Sequence, residues 1–354
     1  MATAETSQET GASESKRKPL EIDKLFRICM KYGGSDLHLK SNLPPMIRHK
    51  GSIRQIDMPP IPPRDMERMC MAMLDDRLRA IFQKDGGADF AHVIGDGEAR
   101  FRVNMFKQRG HMGLVARLVN ATVLPFEKLF LPKVLGELSM IHQGLLILAG
   151  ITGSGKSTTI ASMLNYVNAN RRCHILTIED PIEYLFTDDK AVINQREVGI
   201  DVASWPIALK HAVRQDPDVI LVGEMRDRET FEAAVHAAET GHLVYGTIHA
   251  STAPSTIGRI LDLFPADMHN AIRQALAFNL RAIIAQKLIK TTDDWQGKGI
   301  SRVPINEVLI INPSVRKAIS EGQDERPPTS SRSPRTKGAG FHQGSFIPIG
   351  SRRT

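Results

Sequence analysis

Apolar residues recur along this chain in two rhythms, and the change of rhythm marks two domains. Between Leu20 and Thr122 the segments SDLHL, PPMIRHKGSIRQI, ARFRVNMFKQ and HMGLVARLV tend to place an apolar residue at every second position, which predicts half-buried strands. The stretch from Asp65 to Phe82 has helical spacing instead, so residues 19–122 are expected to form a small α+β domain. Leu124 to Leu131, with Pro125 near its start and Pro132 after it, follows neither rhythm and predicts a linker over 123–132. Beyond it the runs GLLILAG, HILTIE, DVILVGE and HLVYGTIH are apolar at successive positions, as strands buried on both faces are. They alternate with STTIASMLNYVNAN, IALKHAVRQ and ETFEAAVHAAETG, and strand–helix alternation predicts an α/β domain, a parallel-rich sheet wrapped by helices, over 133–321. Neither end of the chain is periodic. Residues 1–18, rich in Ala, Thr, Ser and Glu, are expected to be a disordered leader, and 322–354, rich in Pro, Ser, Arg and Gly, a disordered basic tail.

Charge narrows the choice of partners. The formal net charge is +7, but from Gly322 to Thr354 six Lys/Arg stand against two Asp/Glu, so the tail alone carries +4. The leader balances Glu5, Glu9 and Glu14 against Lys16, Arg17 and Lys18, which leaves a nearly neutral body. With aromatic residues at only 5%, that body offers few stacking platforms, and no nucleic-acid partner is expected. No apolar run approaches the roughly 20 residues of a spanning helix, and the start has no apolar core behind a basic segment. Cytoplasmic residence is the expectation. Cys29, Cys70 and Cys173 are too scattered for a disulfide framework or a paired-cysteine zinc site.

The sharpest chemical signal is Gly150-Ile-Thr-Gly-Ser-Gly-Lys-Ser157, which fits GxxxxGK[ST] between a buried strand and a helix. Glycines let backbone N–H groups turn inward toward phosphate oxygens, and the following helix adds the positive end of its dipole. Gly150, Thr152, Gly153, Ser154, Gly155, Lys156, Ser157 and Thr158 are therefore the expected nucleotide-binding residues. Lys156 is placed to reach the β and γ phosphates of ATP, and the Ser157 hydroxyl to ligate Mg²⁺.

A phosphate loop does not choose the attacking water, so carboxylates at neighbouring strand ends are needed. One run ends in Glu179-Asp180-Pro181-Ile182-Glu183 and another in Gly223-Glu224. Since Gly223 stands where an acid usually holds the metal's water, Glu183 is chosen as general base and Glu224 as the residue nearer Mg²⁺, with Glu179 and Asp180 as alternatives. The last run ends in His249, positioned to donate to the γ phosphate, with His242 at its start as a further expected nucleotide-binding residue.

The order GITGSGKSTT, ILTIEDPIEY, QDPDVILVGEMRD and GHLVYGTIHA resembles the hexameric ATPases of secretion and pilus systems, the GspE/PulE/PilB/PilT family, and most closely its twitching-motility retraction branch. The likeness covers about residues 20–321. It implies an N-terminal PAS-like domain, a C-terminal RecA-like P-loop domain, a homo-hexameric ring, and docking of that ring, peripheral at the inner membrane, on the platform protein of the type IV pilus machinery. It also implies that Glu183 is the catalytic glutamate and that Arg102 and Arg117, with Arg100 in reserve, face a nucleotide held elsewhere in the ring. Pro313 to Gly322 (PSVRKAISEG) resembles a degenerate AIRNLI-type segment of the retraction branch.

Three other functions compete. Pilus-assembly or type II secretion ATPases share the four blocks but commonly carry a tetracysteine zinc insertion that this chain lacks. A RecA-like nucleic-acid translocase would draw on the basic tail, against the neutral body. A nucleotide-binding module without turnover is disfavoured by the presence of both Glu183 and Glu224.

Overall fold

Two compact units share the chain, residues 1–119 and 120–354. The computed structural model describes residues 20–49, 51–95, 98–119, 121–297 and 300–323, together with the backbone of 342–343. The expected leader lies outside the described residues, and so does the expected tail beyond 323 apart from those two residues.

The first unit holds strands β1 (Asp36–Lys40), β2 (Met46–His49), β3 (Ser52–Gln55), β4 (Gly87–Ile94), β5 (Ala99–Gln108) and β6 (His111–Leu118). They form one antiparallel sheet in the order β3-β2-β1-β6-β5-β4. Alternation sorts the side chains by face: on β5 Phe101, Val103 and Met105 are buried whereas Arg102 and Asn104 are exposed. The buried face packs with Phe26, Met66, Cys70 and Phe82 from helices Asp23–Lys31, Pro63–Met73 and Asp76–Asp85. The single helix expected from Asp65 to Phe82 is thus two. Asp75 adopts an extended conformation, and its carboxylate accepts from the Leu78 N–H at 2.7 Å, starting a fresh helix. The break leaves no trace in the apolar period, because Met66, Cys70, Leu74, Leu78 and Phe82 follow one another at fourfold spacing and all are buried.

The second unit contains β7 (Gly144–Ala149), β8 (His174–Glu179), β9 (Val192–Glu197), β10 (Val219–Val222), β11 (Leu243–Ile248), β12 (Leu280–Lys290), β13 (Arg302–Ile310) and β14 (His342–Gln343). The order is β14-β13-β12-β7-β11-β10-β8-β9, parallel from β12 to β9, with β13 and β14 added antiparallel. Successive residues of β7 enter opposite cores. Leu145, Ile147 and Ala149 join Phe231, Ala234, Ile257 and Ile260 on one side. Leu146 and Leu148 meet Ile160, Met163 and Leu164 of helix Lys156–Asn170 on the other. A strand apolar at every position is therefore required, and β7 is one. The segment Pro313–Ser320 is a helix started by Asn312, whose side chain accepts from Val315 N–H at 2.8 Å, and it buries Ile319. The backbone of His342–Gln343 pairs with Glu307 and Val308 of β13. Among the described residues no helix is long and apolar enough to cross a membrane.

Phe231 is fully buried between helix Arg228–Glu239 and its surroundings. Phe231→Ala is expected to destabilise the protein by about 3–5 kcal/mol, read as a lower urea midpoint, because the cavity it leaves in a close-packed core collapses only in part.

Candidate active site

Parallel strands all finish at the same edge of a sheet, and here that edge collects the phosphate loop and the carboxylates. The loop leaves β7 at Gly150, whose φ of 157° and lack of a side chain let the chain fold back; a Cβ there would stand 2.4 Å from Ser154 Oγ. Gly155 takes a left-handed conformation, φ 88°, and directly begins helix Lys156–Asn170. The unpaired N–H groups of that helix and the positive end of its dipole therefore open onto the loop. Thr152 and Gly153 sit exposed at the loop's crest while Ser154 is buried beneath. Lys156 Nζ donates to Gly150 O at 2.7 Å and to Ile151 O at 3.2 Å, so the ammonium lies over the loop. Burial pulls its pKa down, and the negative charge of Glu224 works against that. Ser157 is exposed on the first helical turn, and Thr158 Oγ1 is 2.8 Å from Tyr184 Oη.

β11 and β10 follow β7 in the sheet and supply His249 and Glu224. Glu224 Oε1 lies 3.0 Å from His249 Nε2, and its Oε2 is 2.6 Å from an Arg226 guanidinium nitrogen. Burial works to raise the Glu224 pKa, but the Arg226 bond and the charges of Arg226, His249 and Lys156 outweigh it and hold the carboxyl below its ordinary value. The carboxylate therefore stays ionised at neutral pH. Arg226 was not among the residues expected from the sequence; an arginine two positions past an acid is too common to stand out.

β8 contributes the other acids. Gly223 beside it has a steric origin: its N–H donates to Ile178 O at 2.8 Å, and a Cβ there would come within 3.2 Å of that oxygen and 3.3 Å of Glu179 Cα. The acid common at this place would press on the neighbouring backbone. Glu179 is 7% exposed, its Oε1 accepting from Thr177 Oγ1 at 2.8 Å and its Oε2 from the Glu183 N–H at 3.2 Å. That second bond curls the chain so that Glu183 returns beside the strand end. Glu183 itself is exposed, and among the described residues its carboxylate has no hydrogen-bond or ion-pair partner. Gln195 of β9 donates to Tyr184 O at 2.8 Å and accepts from Phe186 N–H at 3.0 Å, clasping the chain just after Glu183. With Tyr184 reaching Thr158, the loop that carries Glu183 is tied to the phosphate-loop helix. Sequence pattern did not single out Tyr184 or Gln195.

Two expected contributions lie elsewhere. His242 precedes β11 while His249 follows it, so about 20 Å of strand separates them. His242 Nδ1 is engaged at 2.8 Å with Ala237 O, at the end of helix Arg228–Glu239. The structure does not bring His242 to the phosphate loop of its own chain. Arg102 and Arg117 belong to the first unit, where cross-strand register puts Arg48, Asp36, Arg117 and Arg102 side by side, with Asp36 buried and Arg102 and Arg117 exposed. Arg117 Nε donates to Asp36 Oδ1 at 2.8 Å, leaving its terminal nitrogens outward.

A parallel sheet with a phosphate loop and a cluster of acids at one edge defines a RecA-like P-loop ATP hydrolase. Residues 21–338 match the type II/IV secretion system protein family, and the chain belongs to that family. It is 43% identical over 302 residues to the type IV pilus retraction ATPase PilT of Pseudomonas aeruginosa, covering 85% of this chain and 86% of the relative. It is 44% identical over 279 residues to a twitching motility protein of Neisseria gonorrhoeae, covering 79% of this chain and 73% of the relative. A crystal structure of the pilus retraction motor PilT with bound ADP superposes with a TM-score of 0.80 at 43% identity, over 86% of this chain and 88% of the other.

Burial pushes the Glu179 carboxyl from 4.5 up to about 7, with the Glu183 charge adding to the rise and the bonds from Thr177, Glu183 N–H and Gln195 opposing it. Between those two values the folded protein keeps a proton that the unfolded chain releases, so this group makes stability fall as pH rises from 4.5 to about 7 and level off above. Glu179→Gln cannot titrate. Melting temperatures across this range should show the variant gaining on the parent until about pH 7, whereas parallel profiles would show that Glu179 ionises normally.

Proposed function

We propose that this protein is the ATP-driven motor that retracts type IV pili, working as a homo-hexamer in the cytoplasm, peripheral at the inner membrane against the pilus platform protein. The observation that carries the proposal is the gathering of the phosphate loop, Glu183, Glu224 and His249 at one sheet edge in a chain so similar to retraction ATPases over most of its length.

The chemistry follows from the placement of the groups. ATP lies with its β and γ phosphates in the loop, held by backbone N–H groups and Lys156. Glu183, exposed and without a partner among the described residues, accepts a proton from water as the water oxygen attacks the γ phosphorus. The bond from that phosphorus to the bridging oxygen breaks, and ADP and phosphate leave. Ser157 and the ionised Glu224 are hard oxygen donors and suit Mg²⁺, which when bound neutralises charge on the phosphates. His249, sharing Glu224 with Arg226, is placed to sense loss of the γ phosphate. Arg102 and Arg117 serve a nucleotide held by another subunit, a role for which guanidinium, always charged and able to grip two oxygens, is suited.

A strain lacking the gene should twitch poorly and carry surplus pili; loss of pili would point to assembly instead. Lys156→Ala is expected to lower hydrolysis about a hundredfold or more without altering the fold, since it deletes a charge and no core contact. Glu183→Gln should bind ATP yet turn over on the order of 10²–10⁴ times more slowly, and the same stall in Glu224→Gln with normal turnover in Glu183→Gln would reverse the two roles. Arg102→Ala and Lys156→Ala should each be inactive alone, but mixed under conditions that exchange subunits they should recover a minority of wild-type ATPase. Mixed rings as inactive as the separate variants would confine Arg102 to its own chain or remove it from catalysis.

A further inference from the structure

The phosphate loop rests on a strand that the hydrolysis chemistry does not use. β12 pairs in parallel with β7 up to Ala285 opposite Ala149, so the next residue, Gln286, lies beside Gly150 where the loop begins. Gln286 is 2% exposed. Its Nε2 donates to the backbone oxygen of Ser154 at 2.7 Å, while its Oε1 accepts from Thr159 Oγ1 and from Asn306 Nδ2, each at 2.8 Å. A carbonyl oxygen can only accept, so the Ser154 contact decides which end of the amide is nitrogen, and the other two bonds agree with that choice. Gln286 also meets both glycines that bracket the loop. A Cβ on Gly150 would stand 2.6 Å from the Gln286 backbone oxygen, and one on Gly155 2.8 Å from Nε2.

The peptide between Ser154 and Gly155 is planar and trans, so its C=O and N–H point in opposite directions. Holding the Ser154 carbonyl down on Gln286 therefore turns the Gly155 N–H up, to the side where the helix N-terminus opens. Rotation of that one peptide would put a carbonyl oxygen where an anion has to sit.

We propose that Gln286 is a positioning residue for nucleotide binding: it fixes the Ser154–Gly155 peptide so that the loop presents N–H groups to phosphate, with Thr159 and Asn306 locking its amide. The proposal rests on residues 150–157 being the phosphate loop. Neighbouring strands thereby shape the loop before any ligand arrives, and binding does not have to order it.

The test is the affinity of the full-length protein for a fluorescent N-methylanthraniloyl ADP with Mg²⁺, read by anisotropy, beside the melting temperature of the nucleotide-free protein. Gln286→Met removes every side-chain bond with little change of volume. Gln286→Glu still accepts from Thr159 and Asn306 but sets an oxygen against the Ser154 carbonyl. Both should bind ADP at least fivefold more weakly while folded. A merely structural role would be met by the glutamate, so wild-type affinity in a folded Gln286→Glu overturns the proposal, as does a loss below fivefold in Gln286→Met. If neither variant folds, the isosteric Thr159→Val decides, with an affinity loss of threefold or more that Thr159→Ser restores; unchanged affinity in Thr159→Val overturns the proposal. Lys156→Ala serves as the separate check on the loop. Should it bind as wild type, the loop assignment is at fault, and should it lose binding while the Gln286 variants keep theirs, the positioning role alone is wrong.

Discussion

The active site depends on the register of four parallel strands. Ala149 pairs with Ile248, Gly246 with Val222, and Val222 with Ile178, so the four chains reach the sheet edge within a few residues of one another. Each then releases a different tool: the phosphate loop, His249, Glu224 and the turn that ends in Glu183. A slip of one residue in any pair would move its apolar side chains from one core to the other, and both cores are filled. The chemistry is thus held by packing that never touches it.

Two glutamates one strand apart show how environment assigns roles to the same side chain. Glu224 is surrounded by Arg226, His249 and Lys156 and stays charged. Glu179 is enclosed by strand atoms, has hydroxyl, amide and N–H donors in place of cations, and holds its proton to about pH 7. One can face a cation. The other serves the backbone, returning the chain so that Glu183, four residues later, stands in the open.

Much of this was legible in the sequence because it depends on local pattern. Runs of apolar residues announced β7, β8, β10 and β11, and the glycines and Lys156 announced the loop between strand and helix. What was missed depends on partners distant in sequence. β9 reads VINQRE and is too polar to look like a strand, yet it supplies Gln195. The helix break at Asp75 was hidden by apolar positions that keep their spacing across it. His242 and His249 look alike in one motif, and only the direction of β11 tells which of them stands at the sheet edge that carries the phosphate loop. Buried amides such as Gln286 carry no motif at all, since their meaning lies in the backbone they touch.

The polarity that hid β9 also guards the margin that this strand forms. β9 closes one margin of the second unit's sheet, and its outward backbone groups are partly taken by its own chain: Ile193 N–H donates to Asp188 Oδ1 at 3.1 Å and Glu197 N–H to Asp201 Oδ2 at 2.8 Å. Copies of this protein are proposed to work shoulder to shoulder, a crowding in which an open margin would invite runaway cross-β polymerisation. With asparagine, glutamine, arginine and glutamate at its last four positions, β9 makes that stacking costly to bury. A strand written in polar letters and closed by its own chain's side chains leaves a neighbouring edge little to pair with.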